Sequence, residues 1–205
     1  MAQTTSGLRA VLSHPRIYSS FQSLMGARKF RTNFVSRYIR PFPGMALLDV
    51  GCGPADILAY LPDINYWGFD ISEDYIGKAR RSFGHRGHFH CKQLQMEDLD
   101  RLPPFDVVLA IGLLHHLDDE VALDVLRLAH SALRPGGRLL TVDPCLDPSQ
   151  NAISRFLVSN DRGQNVRNKT GYAALAGAVF GDFSAELRHQ AWIPYTHCFM
   201  ECVKS

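Results

Sequence analysis

The chain lacks any apolar run approaching the ~20 residues that a membrane-spanning helix requires. It also lacks a charge imbalance: 22 Lys and Arg against 20 Asp and Glu leave a net charge of +2, too little to argue for nucleic acid or an anionic membrane as partner. Paired cysteines are missing. Cys52, Cys91, Cys145, Cys198 and Cys202 are scattered with no C-x-x-C spacing, which excludes a zinc ribbon or disulfide framework and predicts reduced thiols in the cytosol. The opening residues Met1–Ala10 carry no apolar signal-peptide core. No repeat or low-complexity tract is present. These absences predict a soluble cytoplasmic protein, and 205 residues suit one domain over 1–205.

What is present divides into four stretches. Residues 1–44 carry Ile17, Tyr18, Phe21, Leu24, Met25, Phe30, Phe34, Tyr38 and Ile39 at roughly helical spacing, which predicts one or two helices. This stretch is also the most basic, with Arg16, Arg28, Lys29, Arg31, Arg37 and Arg40. Pro41 and Pro43 end it. Over 45–143 the pattern alternates, with strands predicted at 45–50, 65–70, 88–95, 105–111 and 138–142. Helices are predicted between them, one capped by Ser72 and a longer one by Asp118. Residues 144–172 are polar and irregular, with a helix at 151–158. A helix at 171–180 and strands at 183–190 and 195–203 finish the chain. Alternating strands and helices predict an α/β, doubly wound, Rossmann-like sheet covered on both faces, preceded by an N-terminal helical segment.

The chemistry concentrates at Leu48-Asp-Val-Gly-Cys-Gly-Pro54 and Gly68-Phe69-Asp70. Gly51 and Gly53 let the backbone approach a ligand where the first strand turns away. Asp70 ends the second strand, where a carboxylate accepts hydrogen bonds from ribose hydroxyls. A dinucleotide fingerprint needs a third glycine at 56, and Asp56 would set a negative charge near a pyrophosphate. This disfavours a nicotinamide-dependent oxidoreductase. Each feature also has a plainer reading: a tight turn for the glycines, a helix cap for Asp70.

The two motifs, with Phe105–Leu117 and the turn Leu133-Arg-Pro-Gly-Gly-Arg-Leu139, resemble the class I S-adenosylmethionine-dependent methyltransferases of the small-molecule type. The resemblance covers 45–143. One departure is Ala55, where many members carry a third glycine. The resemblance implies a seven-strand sheet, mostly parallel with its last strand antiparallel, and S-adenosyl-L-methionine as cofactor, leaving S-adenosyl-L-homocysteine. It implies that the turn Gly51-Cys52-Gly53 passes under the methionine moiety, that Asp49 fixes this turn or reaches the amino group through water, and that Asp70 lies on the ribose and Ile71 on the adenine. Met96, Glu97 and Asp98 compete for the remaining adenine contacts, against a solvated-surface reading. Ile111 and Gly112 fall near the transferring methyl, and Arg28 or Arg31 near the cofactor carboxylate.

Methyl transfer needs a base only when the acceptor carries a proton to be removed. His115 and His116 are the two candidates for it, against a structural role for either. The N-terminal helices, with Tyr18, Phe21 and Phe30, are expected to act as a lid or simply to cover the sheet. The insert 144–172 is expected to set acceptor specificity, with Arg162 and Arg167 favouring a polar acceptor, against a plain surface loop. Tyr195 enters the last strand close enough to join them, or packs at its edge. No Asp/Asn cluster for metal-dependent methylation is evident, and no metal is expected. No Asn-Pro-Pro-Tyr motif is present; Pro103-Pro104 precedes the fourth strand instead of ending it. The expected reaction is O-methylation of a small polar metabolite, a glycan or natural-product precursor, by a monomer or homodimer. Two alternatives stand beside it: the oxidoreductase, and a methyltransferase-like binding protein without turnover.

Overall fold

A computed structural model describes residues 27–150, 152–159, 163–190 and 195–205. Strands β1 (Ala46–Val50), β2 (Asn65–Asp70), β3 (Gly87–Cys91), β4 (Phe105–Ile111) and β5 (Leu133–Leu146) are mutually parallel. Strands β7 (Asp182–Gln190) and β8 (Tyr195–Val203) complete the sheet in the order β3-β2-β1-β4-β5-β8-β7. The last strand, β8, runs antiparallel to both its neighbours. An eighth strand lies off this path: the two-residue β6 (Arg167–Asn168) pairs with Cys145 and Leu146 of β5. Nothing in the polarity of 144–172 announces this bridge.

Burial explains the strand sequences. β4 lies between β1 and β5 and is covered on both faces, so Phe105 through Ala110 are all buried, a charged Asp106 among them. Asp106 is accommodated by pairing with Arg134 and accepting from the Ala46 N–H. One face packs under helices α3 (Asp119–Ala132) and α5 (Lys169–Gly177), around Leu126, Ala129, Tyr172 and Leu175. The opposite face packs under α1 (Ala27–Phe34) and α2 (Glu73–Phe83), around Phe34, Leu47, Ile76 and Phe199. The caps are those expected: Ser72 Oγ accepts from the Tyr75 N–H and Asp118 Oδ1 from the Val121 N–H.

The three largest boundary differences from the sequence reading lie in β3 and β5. β3 stops at Cys91 because Asp98 folds back, accepting from the Gln95 N–H and from Lys92, and starts a helical turn over Met96–Arg101. β5 begins at Leu133, since the turn at Pro135–Gly137 is a bulge within the strand; Gly136 has φ +77° and its N–H donates to the Lys204 carbonyl. β5 also runs on to Leu146, because antiparallel pairing with β8 supports it through Pro144 opposite His197. Helix α4 (Ala152–Ser159) lies where it is expected.

Candidate active site

Parallel strands deliver their C-terminal ends to one edge, so the turns after β1, β2, β3 and β4 and the end of β5 meet there. After β1 the backbone turns through three left-handed residues, Gly51 (φ +73°), Gly53 (φ +54°) and Ala55 (φ +55°). Ala55 holds a conformation that favours glycine at a cost of roughly 1–2 kcal/mol. The N–H groups of Gly51 and Cys52 donate to the Phe69 carbonyl. Asp70 then pins the loop: Oδ2 accepts from the Gly53 N–H at 2.9 Å and Oδ1 from the Ser72 N–H at 2.8 Å. Each carboxylate oxygen keeps a second lone pair for hydroxyl donors at the mouth. Anchoring the loop and meeting a ribose are thus compatible roles for one side chain.

Beneath the loop Asp49 is buried, and its Oδ2 accepts from the Tyr66 hydroxyl at 2.7 Å. Burial pushes its carboxyl up to about 7; the Tyr66 bond works against this and the Asp70 charge adds to it. The Cys52 thiol is likewise pushed up, chiefly by burial and then by Asp49 and Asp70. Gly68 makes this packing feasible, since a Cβ there would sit 2.9 Å from Cys52 Sγ and 3.0 Å from Tyr66 Cε1. Sequence reasoning missed Tyr66 because its meaning depends on pairing across strands, and it gave Gly68 a place in a motif without this packing role.

After β2 and β3, two large apolar side chains stand unusually open: Ile71 is 63% exposed and Met96 50%. Glu97 is also exposed. Asp98 differs from the expected adenine contact: its carboxylate is spent on Lys92 and on the Gln95 N–H, closing the turn after β3. Arg28 is exposed on α1 and it is Arg31, one helical turn on, that reaches the loop, 3.3 Å from Asp56. Lys78 stands 4.0 Å from the same carboxylate. Phe30 packs between Phe34, Phe199 and His197 at ring separations of 6.0–6.2 Å. Residues 27–39 therefore cover the sheet. Tyr18 and Phe21, the other members of the expected lid, lie outside the described residues, as does Arg162.

After β4, Gly112 takes φ +65° and donates its N–H to the Val142 carbonyl at 2.7 Å. Leu113 then leans over Gly51, where a Cβ would lie 3.1 Å from its Cδ1. The two histidines differ in environment. His116 is exposed, its ring centroid 4.0 Å from that of His115 and tilted 38° to it. His115 is buried, and one oxygen of the buried Asp143 accepts from both its backbone N–H (3.1 Å) and its Nδ1 (2.8 Å). An oxygen that accepts from Nδ1–H leaves the neutral ring's lone pair on Nε2. Histidine so oriented by a carboxylate is the arrangement of a general base.

Arg167 departs from its expected place among acceptor contacts. Its five hydrogen bonds run to Asp119 Oδ1 (two), Leu114 O, Leu117 O and Asn165 O, at 2.6–3.0 Å. These exhaust the five donors of a guanidinium. Tyr195 begins β8, paired with Gln190. Among the described residues no group of three His, Cys, Asp or Glu side chains is placed to hold a metal ion, and no helix is long and apolar enough to cross a membrane.

A family model described as a methyltransferase domain matches residues 48–139, the segment that holds the glycine loop, Asp70 and His115. Residues 48–139 form a class I methyltransferase domain. An O-methyltransferase of Pyrenophora dematioidea is 31% identical over 155 residues, covering 67% of this chain and 57% of that protein. The 27-O-demethylrifamycin SV methyltransferase of Amycolatopsis mediterranei is 32% identical over 158 residues, covering 74% and 55%. The chain thus spans little more than half the length of these curated relatives. In fold it is similar to human N-acetylserotonin methyltransferase, solved in complex with S-adenosylmethionine: TM-score 0.65, 18% identity, covering 98% of this chain and 60% of that chain. The methyl donor of the family is S-adenosylmethionine. The residues fit that donor: the loop offers backbone without Cβ atoms at Gly51 and Gly53, an acid for the ribose, and open apolar side chains for the base. An oxidoreductase reading finds no support; Asp56 occupies the third fingerprint position with Arg31 and Lys78 beside it.

Proposed function

We propose that this chain transfers a methyl group from S-adenosylmethionine to a hydroxyl oxygen of a small polar acceptor, with His115 as general base. The observation that carries the reading is the His115–Asp143 pair, set next to Gly112 at the strand edge that also holds the glycine loop. When bound, the cofactor supplies an electrophilic methyl on a sulfonium and a good leaving group. Gly51 and Gly53 admit its methionine end, Asp70 receives the ribose hydroxyls, and Ile71 and Met96 flank the adenine. Glu97 stands next to Met96 in that turn, exposed, while Asp98 is committed to closing it.

Asp143 holds the imidazole with Nδ1 protonated, so that Nε2 takes the hydroxyl proton as the acceptor oxygen attacks. His116 belongs to the rim in this reading, its tilted ring against the base. Alignment supplies most of the acceleration: effective molarities in well-oriented systems are equivalent to about 7–11 kcal/mol. A single domain over 1–205 carries the reaction, with 144–172 bounding the acceptor. Of the curated relatives described above, one is named an O-methyltransferase and the other a methyltransferase of a 27-O-demethyl compound, which supports oxygen as the methylated atom.

The test is a panel of hydroxylated metabolites incubated with the chain and isotopically labelled S-adenosylmethionine. A labelled methyl ether formed by the chain and lost in His115→Asn supports the reading. Binding of S-adenosylhomocysteine with no methylated product across the panel supports the alternative of a silent binding protein.

A further inference from the structure

The polar insert ends in a segment, Gly163–Arg167, that returns across the sheet edge and lies against the turn carrying His115. Gly163 packs on the imidazole itself. A Cβ there would collide with His115 Cδ2 and with the His115 carbonyl oxygen. Two residues on, the Asn165 N–H donates to that carbonyl at 3.0 Å. Two further on, Arg167 ties Leu114 O and Leu117 O, the residues on either side of the two histidines, to Asp119 at the start of α3. The pairing of Arg167 and Asn168 with Cys145 and Leu146 fixes the segment to the end of β5, just beyond Asp143. Asp143 holds one side of the ring, and this segment holds the other.

The geometry points to Gly163–Arg167 as a positioning strap for His115, in which Gly163 and Arg167 set where the imidazole sits without touching substrate or cofactor. The inference rests on His115 being the base, and it gives the insert a second task besides bounding the acceptor. An arginine is required because one planar group spans two carbonyls of the turn, the strap's own Asn165 carbonyl and a carboxylate. Lysine keeps the charge but brings three donors from a single point. Among the described residues, the titratable and charged groups around the imidazole are Asp143 on β5, His116 on its own turn, Arg167 on the strap and Asp119 opening α3.

The experiment reads the ring directly, in the full chain without ligand. Imidazole nitrogen spectra of Gly163→Ala and Arg167→Lys are compared with those of the parent, with the His115 signals identified by their loss in His115→Asn. Asn168→Ala serves as a stability control: it removes the α5 cap, where Oδ1 accepts from the Gly171 N–H, but reaches no atom of the His115 turn. Both strap variants are expected to move the His115 nitrogen signals and their titration midpoint. They are also expected to lower kcat by about 100-fold, the scale of an ångström misplacement, with S-adenosylhomocysteine affinity unchanged. The control is expected to lower the melting temperature while leaving the His115 signals in place. Unmoved His115 signals in both strap variants would overturn the strap. Signals that move while turnover holds would keep the strap and overturn the base assignment instead.

Discussion

The two halves of the strand edge are built by different means. The cofactor half, residues 46–72, is made of near neighbours in sequence: Asp70 reaches back to Gly53 and forward to Ser72, and Tyr66 reaches Asp49. The reaction half brings together residues from three distant stretches: His115 after β4 with Asp119 four residues on, Asp143 on β5, and Gly163 with Arg167 in the insert. Backbone N–H groups hold the first half, and side chains clamping carbonyls hold the second. Affinity for the cofactor should follow the first half and turnover the second. A variant that crosses this line breaks the comparison.

The largest effect belongs to His115→Asn. Loss of a general base costs about 10²–10⁴ in rate, with S-adenosylhomocysteine binding unchanged by calorimetry. Asp143→Asn should lose turnover in the same direction, since the amide can present a donor to Nδ1 and favour the other tautomer. If either variant loses cofactor affinity as well, the two halves are not separate. Next stands Asp70→Ala, which removes two anchors and the ribose acceptor together. At about 1.5–3 kcal/mol for a hydrogen bond to a charged group, affinity for S-adenosylhomocysteine should fall by about 100-fold. Unchanged affinity in that titration would dismiss Asp70 as a ligand-binding group.

A third prediction concerns pH. Asp49 has its folded value raised to about 7 from 3.8, so the folded chain binds the extra proton between these limits. Its contribution to stability is therefore full below about 4 and declines as pH rises to about 7. Denaturant unfolding at several pH values should show that decline in the parent chain and its loss in Asp49→Asn. A parallel decline in both would assign it to other groups. The smallest effect is Ala55→Gly, which relieves the left-handed alanine. It should raise stability by about 1 kcal/mol, read as a modest rise in melting temperature, without changing turnover.

Legibility divided along the same line. Gly51, Gly53 and Asp70 were readable because a left-handed turn needs residues without Cβ and because a strand end fixes where its acid lies. The caps at Ser72 and Asp118 were readable for the same local reason. Asp98 was misread because a helix cap and a ligand contact draw on the same residue type. Arg167 was misread because an exposed-looking arginine in a polar insert gives no sign that carbonyls of another turn await it. Asp143 was visible only as the residue after a strand, and its part became plain once β4 and β5 were neighbours. Gly163 carried no signal, since its need for a bare backbone comes from a ring forty-eight positions away.

By itself, then, the sequence determined the α/β alternation, the glycine turn and the acid that faces it, because strand periodicity, φ preference and capping act within a few residues. Only the tertiary structure decided which histidine is oriented, what orients it and what the insert holds down. Those are contacts between segments far apart in the chain, and their partners are chosen by sheet order.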